Sequence, residues 1–282
     1  MVSIVIYDPL TWASLGSSSG TLTADGTLTL DVRQGTAVSQ CDQSLRGDDG
    51  FVYDPDCAGQ LLQGGTADRR LRDAYRMDAY SLRVNGSTPS GMLAATLEMD
   101  GRQIVYGSVE MSGVVAARRL FVPPGGGFAR YLDTVTNPSS VPVTVNVRVE
   151  GALGGVVHLV VDPATTGNTY AVTLADATTV PLLGDSPAVR PALAHVFGGP
   201  GAATPVSGVK FQTLMGPSFY EWQVTIPAGE SVTLMHFAIQ REPSDTAGAT
   251  AQAEALVNLT DPNVLAGMTA EEKARVVNFK LR

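Results

Sequence analysis

The stretch Val141-Pro-Val-Thr-Val-Asn-Val-Arg-Val149 alternates valine with other side chains, mostly polar. Because successive side chains of a β-strand point to opposite faces, this period of two predicts a half-buried strand with its valines on one face. Residues 220–226 repeat the pattern, with aromatic and aliphatic side chains alternating with Glu221, Gln223 and Thr225. Residues 232–239 are nearly continuously apolar, which predicts a central strand buried on both faces.

Turn signals separate further strand candidates along the chain. Residues 21–23 and 27–32 flank Ala24-Asp25-Gly26, and residues 93–99 and 103–106 flank Asp100-Gly101. Glycine and aspartate between two alternating runs are typical of β-hairpins, and the second pair predicts a type I′ turn at Asp100-Gly101.

The last forty residues change to helical patterns. Residues 245–259 are rich in Ala, Glu and Leu, with apolar side chains at helical spacing. Asp261-Pro262 is typical of an N-cap followed by proline in the first turn, with Gly267 as a stop. Thr269-Ala-Glu-Glu272 predicts a capping box that opens a last helix with Val276, Val277 and Phe279 on one side.

Many strands followed by a short helical tail favour an all-β fold over a parallel α/β fold. We expect a large antiparallel β-sandwich, similar to a supersandwich, with two short C-terminal α-helices. The length suits a single domain over residues 1–282. A separate N-terminal subdomain over residues 1–90, carrying both cysteines, is the alternative.

The composition excludes several partners. Of the 282 residues, 44% are hydrophobic and 16% are charged, and the formal net charge is −8. Nucleic-acid binding needs a basic face, so we expect no nucleic-acid partner. No apolar run reaches 18 residues, so we expect no membrane insertion. The first seven residues lack a basic region and a cleavage site, which indicates either an intracellular chain or a segment of a longer exported protein.

The two cysteines, Cys41 and Cys57, lie 16 positions apart. Two cysteines without a neighbouring histidine cannot supply the four ligands of a zinc site. A disulfide between them would close a loop and stabilise the fold by roughly 3 kcal/mol on the chain-entropy model. We therefore predict this disulfide and an oxidising compartment, with two buried thiols as the alternative.

The same loop is rich in acidic side chains. Calcium takes six to eight oxygen ligands, and several aspartates with glycine in one loop can provide them, although the spacing is not that of an EF-hand. The candidate calcium ligands are Asp48, Asp49, Asp54 and Asp56. A solvated acidic loop is the alternative, in which case no cofactor is implied. Arg46-Gly47-Asp48 is also an RGD tripeptide, a three-residue match of the kind that arises by chance.

Five stretches of strand and turn carry a resemblance to known proteins. Residues 98–106, 118–133, 136–145, 194–200 and 226–238 together resemble an uncharacterised β-rich module of large exported or cell-surface bacterial proteins. In length and strand content the chain is also similar to galactose-mutarotase-like supersandwich domains, a likeness of fold type alone. The first resemblance implies an extracellular or cell-surface location.

Candidate catalytic residues are few. There is no Gly-x-Ser-x-Gly motif, and the three histidines have no metal-ligand spacing. His236 lies in an apolar run and is predicted to pack in the core, whereas His195 precedes a glycine-rich loop where it could face a ligand. Glu221 with His195 is the acid–base pair to expect if the chain acts on sugars as a mutarotase does. No motif places either residue in a mutarotase pattern.

Tyr75, Tyr80 and Trp222 are candidate platforms for a sugar ring, because the C–H faces of sugars pack on aromatic rings. For Trp222, which alternates with other apolar residues, core packing is the competing interpretation.

We therefore expect a non-catalytic structural or adhesive module that binds a carbohydrate or a protein at the cell surface. Enzyme activity stays undecided, with the non-catalytic role favoured. One alternative is a mutarotase-like domain that acts on or binds a polysaccharide, with polar and aromatic groups converging in a pocket. Another is a subunit of an extracellular self-assembling structure, with large apolar patches or an open edge strand. Oligomers are compatible with each of these.

Overall fold

A computed structural model describes residues 43–76, 78–90, 93–175, 189–212 and 217–281 in full, and the backbone of four earlier strands. The chain is all-β apart from two short α-helices and one 3₁₀ turn at Pro163–Thr166 in the described residues. The strands are β1 (Val2–Tyr7), β2 (Ser14–Leu22), β3 (Leu28–Leu30), β4 (Gly35–Val38), β5 (Leu45–Arg46), β6 (Phe51–Pro55), β7 (Leu61–Thr66), β8 (Ser81–Val84), β9 (Ala95–Glu98), β10 (Gln103–Tyr106), β11 (Val109–Met111), β12 (Val114–Phe121), β13 (Ala129–Thr136), β14 (Val143–Gly151), β15 (Val157–Val161), β16 (Tyr170–Ala175), β17 (Ala192–Val196), β18 (Gly208–Lys210), β19 (Ser218–Ile226) and β20 (Ser231–Arg241); the helices are α1 (Thr246–Val257) and α2 (Ala270–Arg275).

Two antiparallel sheets form the body of the fold. The large sheet has the order β15-β16-β17-β20-β13-β12-β10-β9-β4, with β11 paired to β12. The small sheet has the order β18-β19-β14-β8. The inner faces of these sheets, together with the three-stranded sheet β5-β6-β7, share one hydrophobic core. The predicted antiparallel all-β architecture is confirmed.

Strands β14 and β19 are the pair whose alternation predicted the small sheet. Val147 lies opposite Trp222 in the register, and both side chains are fully buried. The predicted alternation extends one valine too far, because Val141 is 59% exposed. The Asn137 side chain explains the difference, since its Nδ2 donates to the carbonyl oxygen of Val141 at 2.8 Å and holds that residue in the turn before β14.

Strand β20 is buried on both faces, as its continuous apolar run predicts. Leu234 and Ala238 face the core between the sheets. Met235, Phe237 and Ile239 face a second core, which α1 and the C-terminal segment cover. The strand lies between β13 and β17, so neighbours occupy both of its edges as well.

The helical tail follows the prediction at α1 and at the start of α2. The Asp245 side chain caps α1 by accepting from the backbone N–H of Gly248 at 3.0 Å. Thr269 and Glu272 form the predicted capping box of α2. Residues 261–267 form turns instead of the predicted helix. The last helix is also shorter than predicted, because Val276 adopts an extended backbone and forms a parallel bridge with Thr233 of β20.

The two predicted hairpins pair as antiparallel strands. β2 and β3 pair in antiparallel fashion as predicted, while their turn lies outside the described residues. Between β9 and β10 the loop has four residues instead of two, because Glu98 pairs with Gln103 and φ is positive at Met99, Asp100 and Gly101.

In the first 90 residues, β4 pairs with β9 and β8 pairs with β14, so strands from this part complete both sheets. Within the described residues, neither helix has the length and apolarity needed to cross a membrane.

The buried side chain of Asn278 fastens the C-terminal segment to the large sheet. Its Oδ1 accepts from the backbone N–H of Met235 at 2.9 Å, and its Nδ2 donates to the carbonyl oxygens of Met235 at 2.7 Å and Phe197 at 3.0 Å. These bonds join the C-terminal segment to the residue after β17 and to the middle of β20.

Asn278→Ala is expected to lower the free energy of unfolding by about 2–3 kcal/mol, because it leaves buried backbone groups without partners. Chemical denaturation of both proteins measures the difference. Asn258→Ala is the control, since the exposed side chain of Asn258, directly after α1, donates to the carbonyl oxygen of Glu254; loss of one exposed hydrogen bond of this kind costs about 1 kcal/mol or less. Equal losses in the two variants would contradict the role given to Asn278.

Candidate functional site

Charged and aromatic side chains converge between the two sheets, and we call this group the buried cluster. Four of its members come from three adjacent strands of the large sheet, β12, β13 and β20, where Arg118 lies directly opposite Asp133. The others come from β17, from β19 and from the segment before β8. The members are Arg118, Asp133, Tyr131, His236, Tyr220, His195 and Tyr80.

The ion pair of Arg118 and Asp133 is the centre of the buried cluster. Arg118 Nε donates to Asp133 Oδ1 at 2.7 Å, and Arg118 Nη2 donates to Asp133 Oδ2 at 2.8 Å. The side chains are 3% and 0% exposed. Arg118 Nη1 donates to the carbonyl oxygens of Tyr80 at 2.6 Å and Gly59 at 3.1 Å. The guanidinium is therefore held by one carboxylate and two backbone carbonyls, which is the pairing that a buried charge requires.

Gly59 allows a loop to cover the guanidinium closely. Its φ is +73°, and a Cβ atom at this position would lie 2.6 Å from Cδ of Arg118. A side chain here would therefore be strained and would also displace Arg118. The loop therefore packs directly against the side chain of Arg118.

His236 extends the ion pair into a hydrogen-bonded chain. Its Nε2 lies 2.9 Å from Asp133 Oδ2, and its Nδ1 lies 2.9 Å from the hydroxyl of Tyr220. An ionised carboxylate only accepts hydrogen bonds, so Nε2 carries the proton and Nδ1 accepts from Tyr220. The Tyr131 ring stacks on the imidazole with 4.7 Å between centroids. The tautomer of His236 is thus set by Asp133.

His195 makes a second, weaker chain. Its Nδ1 lies 2.7 Å from the hydroxyl of Tyr80, and its Nε2 lies 3.4 Å from Oγ1 of Thr173. Tyr80 in turn stacks on Tyr131 with centroids 5.3 Å apart. The two histidines therefore belong to one continuous aromatic assembly.

Burial and pairing decide the charges in the cluster. Burial favours the neutral form of Asp133, but the positive charge and hydrogen bonds of Arg118, with the hydrogen bond from His236, outweigh it and hold the pKa of Asp133 well below its usual value. Burial lowers the pKa of His195 to about 3, and it lowers the pKa of His236 as well. Both imidazoles are neutral at pH 7, whereas Arg118 and Asp133 are charged.

In the part of the chain that the structure describes, a small cavity of about 20 Å³ adjoins the buried cluster. That volume holds about one water molecule and is far below the size of a sugar ring. Its walls include Tyr80, Glu150, His195, Phe211, Ser218 and Tyr220.

The sequence-predicted acid–base pair is not formed. Glu221 lies on the outer face of the small sheet, where its Oε2 accepts from Nε of Arg148 at 2.7 Å. His195 lies inside the sandwich and is 2% exposed. Because Glu221 alternates with the inward-facing Tyr220 and Trp222, it points away from every residue of the buried cluster.

The predicted calcium ligands also do not converge. Within the residues described in full, no three carboxylate, imidazole or thiol groups come together in a way that could hold a metal ion. Each aspartate instead accepts hydrogen bonds from its surroundings: Asp48 from Arg102 and the N–H of Gly125, Asp49 from the N–H of Phe51, Asp54 from Ser44, and Asp56 from the N–H groups of Ala58 and Gln60.

The predicted sugar platforms are core residues. Tyr75, Tyr80 and Trp222 are 1%, 4% and 0% exposed, so none of them can stack on a sugar at the surface. The competing interpretation of Trp222 as a core residue is confirmed, and so is the core position of His236. Cys57 packs against the same core, whereas Cys41 lies outside the described residues, so the Cys41–Cys57 disulfide stays a prediction.

Arg118 and Asp133 are the two buried charged residues of the cluster that the sequence patterns did not lead us to predict. In β12 the buried positions alternate, and Arg118 occupies one of them between Ala116 and Leu120. Asp133 likewise interrupts the buried run of β13. A charged residue in the apolar phase of a strand, matched by an opposite charge in the next strand, is the signal that could have found this pair.

Comparisons with known proteins give only distant structural likenesses. No protein-family model matches the sequence, and no curated protein matches it significantly. A proposed aldose 1-epimerase from Klebsiella pneumoniae superposes with a TM-score of 0.43 at 12% identity, over 90% of this chain and 91% of that one. A polysaccharide lyase gives 0.41 at 11% identity, over 72% of this chain and 34% of that one.

A third solved structure is a proposed kojibiose phosphorylase from the human microbiome, with a TM-score of 0.41 at 7% identity, over 92% of this chain and 33% of that one. The chain thus spans about a third of the lyase and of the phosphorylase. All three TM-scores lie below 0.5, so these likenesses establish neither a shared family nor a shared activity.

Proposed function

We propose that this chain is a non-catalytic β-sandwich module that serves as a rigid scaffold in an exported or cell-surface protein. The observation that carries the proposal is the burial of the cluster, whose seven side chains are each 4% exposed or less. Its acid–base groups have one another as partners, in a core whose adjoining cavity holds about one water molecule. In this proposal the cluster serves the fold.

Catalytic acids and bases need access to a reacting atom, and they keep hydrogen-bonding capacity for it. In the buried cluster that capacity is used internally, because Asp133 accepts from both Arg118 and His236. A buried ion pair of this kind is costly to desolvate, but it favours one arrangement of strands over others. This supports a role in fixing the register of β12, β13 and β20.

The location and the partner in this proposal come from the resemblance of five strand-and-turn stretches to modules of exported and cell-surface bacterial proteins. We propose a carbohydrate or a protein as the partner that such a scaffold holds or contacts at the cell surface. Three large hydrophobic side chains in the described residues are exposed, Val141, Val160 and Val189, and they lie in a turn, an edge strand and a loop.

A rigid scaffold predicts strong protection of the cluster from hydrogen exchange. The backbone amides of β13 and β20 are expected to exchange only through global unfolding, because both strands are buried and paired on both edges. Hydrogen-exchange mass spectrometry over a denaturant series measures this, with the exposed turn at 139–141 as the fast reference. Exchange of β20 through a local opening far below the global free energy of unfolding would contradict a rigid core.

The mutarotase-like alternative is tested by polarimetry of glucose and galactose with the purified chain. We expect no acceleration above the buffer rate, and no difference between the wild type and His236→Gln. A wild-type acceleration that disappears in a folded His236→Gln variant would overturn the non-catalytic proposal. A glycan array on the same preparations tests the carbohydrate partner separately, since binding there is independent of catalysis.

A further inference from the structure

We propose that Tyr220, hydrogen-bonded to His236, is a proton-coupled oxidation site that accepts oxidising equivalents within the core. The inference does not depend on the scaffold proposal, because it concerns the electron and proton chemistry of the buried cluster itself. Its basis is a phenol placed against a neutral imidazole whose other nitrogen faces a carboxylate.

The geometry gives the Tyr220 proton a place to go. The phenolic oxygen lies 2.9 Å from Nδ1 of His236, which is the nitrogen that carries no proton. On the far side of the ring, Nε2 donates to Asp133 at 2.9 Å. An imidazolium formed at His236 would therefore face an ionised carboxylate, which stabilises its charge.

The step balances with an oxygen-centred one-electron oxidant such as the carbonate radical. The radical takes one electron from Tyr220 and becomes carbonate. The O–H bond of Tyr220 breaks and its proton forms an N–H bond at Nδ1 of His236. The products are a neutral tyrosyl radical and an imidazolium that is paired with Asp133. Because the proton leaves with the electron, the phenol avoids a buried positive charge of its own.

Neighbouring rings lack this arrangement. The Tyr131 hydroxyl and the Trp222 Nε1 are buried and have no hydrogen-bond partner among the described residues, so neither has a base to receive its proton. The guanidinium of Arg118 also lies 4.9 Å from the centroid of the Tyr131 ring, where its positive charge opposes removal of an electron.

Tyr80 is the nearest competitor, since it is hydrogen-bonded to Nδ1 of His195. On the other side of the His195 ring, however, Nε2 faces the hydroxyl of Thr173 at 3.4 Å, and no carboxylate of the described residues is hydrogen-bonded to it. An imidazolium at His195 would be buried without a counter-charge, which disfavours proton transfer there. The structure therefore ranks Tyr220 ahead of Tyr80.

Ring contacts connect Tyr220 to aromatic members of the buried cluster and to the neighbouring Trp222. The centroid distances are 5.4 Å from Trp222 to Tyr220, 5.6 Å from Tyr220 to His236, 4.7 Å from His236 to Tyr131 and 5.3 Å from Tyr131 to Tyr80. An electron vacancy formed on any of these rings lies within ring contact of the next one, so it can migrate until deprotonation at Tyr220 traps it.

The experiment generates carbonate radicals by flash photolysis in a solution of the purified chain and follows the tyrosyl radical by transient absorption and freeze-quench EPR. We expect a tyrosyl signal in the wild type. Tyr220→Phe should lose most of it, and the matched variant Tyr80→Phe, which also removes one hydroxyl bonded to a histidine, should keep it. An unchanged signal in Tyr220→Phe, or an equal loss in both variants, would overturn the proposal.

A second measurement needs no variant and so covers the case in which Tyr220→Phe does not fold. Peptide mapping of the oxidised wild-type protein should place the stable tyrosine oxidation product mainly on the peptide that contains Tyr220. The formation of the radical should also slow in D₂O, because an O–H bond breaks in the step. Products distributed over the tyrosines according to their exposure would refute the assignment.

Discussion

Asp133→Asn is expected to lower the free energy of unfolding by about 3–5 kcal/mol, because it leaves the charge of Arg118 buried without a counter-ion. In the wild type the guanidinium donates two hydrogen bonds to this carboxylate, and the Arg118 side chain is only 3% exposed. The amide also disturbs His236, whose Nε2–H loses a charged acceptor. Urea denaturation followed by circular dichroism measures the loss.

Two comparisons make this result specific. Glu242→Gln breaks an ion pair with Arg70 at the surface, where the two side chains are 56% and 44% exposed, and should cost less than about 1 kcal/mol. Arg118→Met combined with Asp133→Leu removes both charges together and should be more stable than Asp133→Asn alone. If Asp133→Asn costs no more than Glu242→Gln, the ion pair does not hold the core as we describe.

The fold could be predicted from the sequence wherever one pattern of apolar residues dominated. In β14 and β19 the period of two reports a sheet with one face in the core, and in β20 the unbroken apolar run reports a strand covered on both faces. Element ends were less accessible. The last helix stops at Arg275 because Val276 pairs with Thr233, a contact between residues 43 positions apart that no local pattern contains.

The buried cluster could be predicted from the sequence only in part, because the prediction did not take into account which face of its strand each residue occupies. Choosing Glu221 and His195 by residue type ignored that alternate residues of one strand face opposite ways, so Glu221 lies outside while its neighbour Tyr220 lies inside. Burial of His236 followed from its apolar run. Its bond to Asp133 joins residues 103 positions apart, so it depends on strand order that one sequence does not reveal.

Acid is expected to destabilise the protein from about pH 6.5 downward, earlier than the carboxylates alone would. The pKa of His195 falls from 6.5 to about 3 on folding, and that of His236 also falls, because both rings are buried. Below pH 6.5 the two imidazoles therefore bind protons in the unfolded chain but not in the folded chain. Each histidine then lowers the free energy of unfolding by about 1.4 kcal/mol per pH unit, down to its folded pKa.

Asp133 adds a loss of the same sign in stronger acid, because its folded pKa lies below its usual value of 3.8, so its contribution is present above that value and fades as the pH falls through it. The measurement is urea denaturation at a series of pH values between neutrality and pH 4. In His195→Gln, whose amide oxygen can accept from Tyr80, the free energy of unfolding should fall less steeply with pH, by about 1.4 kcal/mol per pH unit, because one histidine no longer titrates. A free energy of unfolding that stays flat over this range in the wild type would mean that the imidazoles take up protons while folded, and hence that the cluster is open to water.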